Sequence, residues 1–132
     1  MNLSEENRRI IVDREIEKAF ANYQQAIIMR EHEQWDAAAN RLYYSVFHAI
    51  NSLLVHDKHE VRTHHGLGML FRQTYIKTGI LQEEHSDTFT LLQTMREKSD
   101  YNCSFDATQG LIEPLFIPSK KMIDTIAKIV KQ

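Results

Sequence analysis

Between Asp36 and His56 the apolar residues Ala38, Ala39, Leu42, Tyr43, Val46, Phe47, Ala49, Ile50, Leu53 and Leu54 fall so as to cover most of the circumference of a helix. A helix that is apolar nearly all round needs neighbours on most sides, so this segment belongs at the centre of a bundle. The exception is one narrow polar line. Arg41, Tyr44, Ser45, His48 and Ser52 recur at i, i+3, i+4, i+7 and i+11, which places them on a shared face.

The rest of the chain keeps helical spacing, and only four glycines and two prolines interrupt it. Val12, Ile16, Ala19, Phe20, Tyr23, Ala26 and Ile27 make one stripe, which predicts a first helix over about Asn7 to Glu31. A third helix starts near His64 and His65, carries Leu67, Leu70, Phe71 and Ile76, and stops at Thr78-Gly79, where glycine suits a left-handed cap. A fourth, capped by Ser86 or Asp87, runs to about Tyr101. Asp106 is a further candidate cap, but Pro114 and Pro118 remove amide donors. The last helix is therefore expected to have a proline-broken start and to become regular from about Ser119. The fold class that follows is all-α: an antiparallel up-and-down bundle of four main helices plus a C-terminal helix, with residues 1–132 as a single domain.

Composition narrows the function. Sixteen basic against eighteen acidic residues leave no global basic field for indiscriminate nucleic-acid binding, so an anion site has to be local. A lone Cys103 excludes an internal disulfide. No apolar run approaches the roughly 18–20 residues that a membrane helix needs, and residues 1–9 hold no apolar signal core. A cytoplasmic protein without membrane association is expected.

One charge is out of place. On the fourth helix Phe89, Leu92, Met95 and Ser99 mark the inward stripe, and Arg96 falls between them, four residues after Leu92. A guanidinium facing inward calls for an anionic or polar partner. Asp100 at i+4 is one candidate, and a ligand or a partner subunit is another. The plain alternative is an intrahelical ion pair contributing about 0.3–0.5 kcal/mol.

Three separated stretches then carry a resemblance: Asp36-Ala37-Ala38-Ala39-Asn40-Arg41-Leu42-Tyr43-Tyr44-Ser45-Val46-Phe47-His48-Ala49; Thr63-His64-His65-Gly66-Leu67 with Phe71; and Arg96-Glu97-Lys98-Ser99-Asp100-Tyr101. In this order, over about residues 10 to 130, the chain resembles the HEPN domain family, in particular its small bacterial branch with an Arg-x-x-x-Asp-Tyr signature. The resemblance implies a helical bundle, usually a homodimer, often encoded beside a minimal nucleotidyltransferase antitoxin in a toxin–antitoxin pair. It also implies RNA or nucleotide as ligand and a metal-independent ribonuclease activity, since many relatives carry Arg, four to six residues, then His on this helix. Here the positions where that histidine would stand are Tyr101, Asn102 and Cys103. Activity would then rest on Arg96, with Asp100 or His48 as substitutes, while Arg41, Tyr44, Tyr101 and Asn102 would border the ligand. Tyr101 is a conceivable target for the nucleotidyltransferase.

Cleaving RNA without a metal takes a base for the ribose 2′-hydroxyl, an acid for the leaving oxygen and a cation for the charged phosphorane. Arg96 suits the cation role, because a planar guanidinium meets phosphate oxygens two at a time. His48, an imidazole, suits either proton role. Asp100 is the weaker base, because Arg96 one turn away favours its charged form. The plain reading of Arg41, Tyr44 and His48 is hydrogen bonding between helices, and that of Tyr43, Phe47 and Phe71 is core. The leading expectation is a ribonuclease-type toxin or a catalytically weakened relative; a non-enzymatic module that senses nucleotides or docks a nucleotidyltransferase stays open, as does a purely structural dimer.

No cofactor and no metal are implied. The residue three before each of the seven histidines is never glutamate, so the Glu-x-x-His pattern of bundle metal sites is missing, and His32-Glu33 and His59-Glu60 do not extend to His-Glu-x-x-His. His56, His59, His64 and His65 read as a solvated loop and helix start.

Overall fold

The computed structural model describes residues 3–131 and is all-helical. Helix α1 spans Glu5–Glu31; the Ser4 hydroxyl caps it by accepting from the Asn7 amide at 3.0 Å. Val12, Ile16, Ala19, Tyr23 and Ala26 form its buried stripe. After a tight turn, α2 runs Trp35–His56 back along α1 and also packs on the remaining helices. The bundle is built around α2, as its apolar circumference requires.

Helix α3 spans His64–Phe71, with the Thr63 hydroxyl accepting from the Gly66 amide at 2.9 Å. A wider π-helical turn, Arg72–Ile76, continues it. Gly79 then takes φ +78°, the left-handed value that a glycine accepts at least cost. Helix α4 spans Glu83–Tyr101, the short α5 spans Gln109–Ile112, and α6 spans Phe116–Val130. The buried apolar side chains of all six helices join in one cluster.

Three boundaries differ from the sequence reading. Helix α4 begins at Glu83, ahead of Ser86 and Asp87, because Gln82 is extended and Glu83 and Glu84 place negative charge at the helix's positive end. Ser86 instead accepts from Arg72 Nε at 3.3 Å. Thr108, and not Asp106, caps α5. Helix α6 starts at Phe116, because Pro118 lies in its first turn, where a missing amide donor breaks no helical bond.

The polar line of α2 also divides. Ser45 and Ser52 are buried and donate to carbonyls of their own helix, Leu42 O and Ala49 O, each at 2.7 Å. A serine that turns its hydroxyl back on its own backbone costs little to bury. Arg41, Tyr44 and His48, with neighbouring Asn51, stay partly exposed.

Candidate functional site

Helix α4 faces α2 through Phe89 and Leu92, both fully buried. One turn further on, the same side presents Arg96. Its side chain is 15% exposed, and the guanidinium stands over the Tyr43 ring at 4.7 Å from the centroid. The end of α4 is tied to the start of α2 by Asp36, which accepts from Ser99 Oγ at 3.3 Å and from the Ala107 amide at 3.2 Å. Arg96 is therefore held from both sides of its own position on the helix.

Arg96 Nη1 donates to Asp100 Oδ2 at 3.3 Å, while its Nε is buried with no partner. A buried guanidinium nitrogen without an acceptor leaves desolvation uncompensated. Arg96 also lines an open depression with Thr94, Glu97, Lys98, Tyr101 and Asn102. Tyr101 is 81% exposed, and Asn102 closes α4.

Behind Arg96 stands a chain of ring contacts. Tyr43 Oη lies 3.1 Å from His64 Nδ1, and the His64 ring packs on Phe47 with centroids 4.4 Å apart. Burial pushes the Tyr43 hydroxyl pKa up, against the pull of the nearby Arg96, so the phenol stays neutral. His64 is driven the other way. Contact with its neighbours withdraws part of the ring from water, and the charges of Arg96 and His48 add to that, so its pKa falls below the ordinary imidazole value.

His48 also packs against Phe47, at 5.5 Å between ring centroids. Its Nδ1 meets Glu15 Oε2 at 2.7 Å, and the same oxygen accepts from Asn51 at 3.1 Å. Burial works to raise the Glu15 pKa, but the hydrogen bonds from His48 and Asn51, with the charges of His48 and Lys18, outweigh it and hold the carboxyl below its usual range. The carboxylate thus fixes one nitrogen of the His48 ring.

Arg41 is engaged elsewhere. It donates to the side-chain oxygens of Asn40, Asn22 at 3.1 Å and Gln25 at 3.3 Å, and stands 5.6 Å from the Tyr44 centroid. Tyr44 links it to the histidines, lying 6.4 Å from His48 and 6.1 Å from His64 between centroids. The structure thus groups Arg96, Asp100, Tyr101 and Asn102 along α4 and His48 with Tyr44 on α2, and leaves Arg41 one ring away. Tyr43, read from sequence as core, is both core and platform. His64 and Glu15 are additions. A helix-start histidine and one glutamate of a charged face carry no local sign of a partner on another helix.

The model of the HEPN domain family matches residues 12–130. A Methanocaldococcus jannaschii protein carrying the name "putative toxin" is 26% identical over 117 residues, covering 89% of this chain and 87% of that protein. A Thermotoga maritima UPF0332 protein is 22% identical over 106 residues, 80% of each. A second M. jannaschii protein with the "putative toxin" name is 28% identical over 91 residues, 69% of this chain and 62% of the relative. With the family pattern spanning nearly its whole length and carried on an all-helical bundle, this chain belongs to the HEPN domain family.

Proposed function

We propose that the groove around Arg96 binds RNA phosphate and that the protein is a metal-independent ribonuclease toxin of a toxin–antitoxin pair, working as a homodimer of a single-domain subunit. One observation carries this reading: a largely buried guanidinium that lines an open depression, with one nitrogen lacking any acceptor and another held by a partly exposed carboxylate. A phosphate offers two oxygens in the geometry that such a fork matches. The toxin names of two relatives support the class, and a minimal nucleotidyltransferase is the partner that the family resemblance suggests.

The test is cleavage of labelled RNA by the pure protein in EDTA, beside Arg96→Ala. Cleavage by the parent that disappears in the variant supports the enzyme.

A second reading is favoured by Asp100, which already occupies Arg96 Nη1, and by Tyr101, Asn102 and Cys103 standing where relatives carry the motif histidine. In it the protein is a non-enzymatic module that binds a nucleotide or docks the nucleotidyltransferase. RNA left intact by parent and variant alike, with nucleotide binding that depends on Arg96, supports this reading.

A further inference from the structure

We infer that His64 and His48 form an acid–base pair beside Arg96, which stands over the same Tyr43 ring that bonds His64, His64 taking the 2′-hydroxyl proton and His48 protonating the departing 5′-oxygen of an RNA phosphodiester. The inference rests on the ribonuclease reading and supplies the proton chemistry that the missing helix-4 histidine would otherwise provide.

The geometry sets the two rings apart in role. Both flank Phe47, His64 at 4.4 Å and His48 at 5.5 Å between centroids, and both adjoin Tyr44. Each has one nitrogen, Nδ1, occupied by the protein and the other, Nε2, left for substrate. The partners differ in charge. His48 meets the Glu15 carboxylate, which holds the ring by Nδ1 and leaves Nε2 as the atom that can pass a proton. His64 meets a neutral phenol; when its Nδ1 donates to Tyr43 Oη, its Nε2 carries the lone pair that a base needs.

The charged groups around the pair come from three helices. Arg96 from α4 and His48 from α2 both disfavour a charge on His64, as does burial. Glu15 from α1, itself beside Lys18, faces His48.

The step balances within the substrate and these side chains. The 2′-oxygen forms a bond to phosphorus as its proton passes to His64. The P–O5′ bond breaks, and the leaving oxygen takes a proton from His48. Arg96 faces the non-bridging oxygens while their charge is highest. The products are a 2′,3′-cyclic phosphate and a 5′-hydroxyl end.

The test compares parent, H64Q and H48Q on a labelled oligoribonucleotide in EDTA across the pH range. Product ends are identified, and binding is followed with the uncleavable 2′-deoxy analogue. The parent is expected to yield cyclic phosphate ends with a bell-shaped pH profile. H64Q should lose about 100-fold or more of the rate and the rise on the acid side, while H48Q should lose the fall on the alkaline side. Both variants should hold the analogue within a few-fold of the parent, with unchanged helical circular dichroism.

H64Q that cleaves like the parent, while Arg96→Ala does not, overturns the pair and leaves the ribonuclease reading standing. Binding without cleavage by the parent also overturns the pair but leaves the phosphate site. Neither binding nor cleavage by a folded parent removes the ribonuclease reading, and the pair falls with it.

Discussion

Two guanidiniums stand over neighbouring tyrosines of α2, and their surroundings are opposite. Arg41, over Tyr44, is met by three amide oxygens from α1 and α2, so its donors are consumed by the fold. Arg96, over Tyr43, has one carboxylate on its own helix and a buried nitrogen with no acceptor. Stacking on an aromatic ring is common to both and so does not mark a site. What separates them is whether the hydrogen-bonding capacity is spent, since a satisfied cation stabilises and an unsatisfied one is ready for an anion.

The sharpest way to break this contrast is to remove each arginine in turn. Arg96→Ala is expected to reduce RNA cleavage about 100- to 1,000-fold, as loss of a transition-state donor does. The same assay on Arg41→Ala should stay within a few-fold of the parent. Equal losses in the two variants would erase the distinction.

Stability should rank them in reverse. Arg41→Ala removes hydrogen bonds to the partly buried Asn22 and Asn40 and to the exposed Gln25 and is expected to cost about 1 kcal/mol in urea unfolding. Arg96→Ala should cost less, because it also removes an uncompensated buried nitrogen. A smaller effect is expected from Asp100→Asn. Removing the resident carboxylate should tighten binding of a labelled 2′-deoxy oligonucleotide roughly two- to fivefold, the scale of a partly exposed ion pair. Weaker binding would mean that Asp100 orients Arg96 and does not compete with ligand.

The smallest effect is on pH dependence. The fold holds His64 in its neutral form by depressing its pKa below 6.5. The unfolded chain therefore binds more protons, and this contribution to stability is complete above about pH 6.5 and lost as pH falls through that value toward the folded one. Thermal melts of His64→Gln between about pH 7.5 and 5 should accordingly fall less steeply than those of the parent. A residual slope is expected from His85, which is 4% exposed and whose pKa burial also depresses.

How much of this was legible beforehand follows from the range of each interaction. The inward placement of Arg96 and the central role of α2 are local periodicities, and both are readable by counting along the chain. The start of α6 is not readable from Pro118 alone, because a proline interrupts a helix in its interior but breaks no helical bond in the first turn, where Pro118 lies. Ser45 and Ser52 look like members of a polar face, but their hydroxyls are satisfied one turn back, a choice that spacing does not reveal. His64 and Glu15 depend on contacts 21 and 33 residues away in sequence, Tyr43 and His48 respectively. Periodicity assigns a residue to a face and leaves open which residue of another helix meets it.

The widened turn at Arg72–Ile76 has a consequence for the whole groove. By letting Arg72 reach Ser86 and Thr90 on α4 while Tyr75 donates to Asp57, just past α2, at 2.6 Å, it braces α3 against two different rods at once. The helix that begins with His64 is thereby triangulated against the rods bearing Arg96 and His48. Excising one residue from that turn would leave every reactive group in the chain and still spoil their mutual bearing.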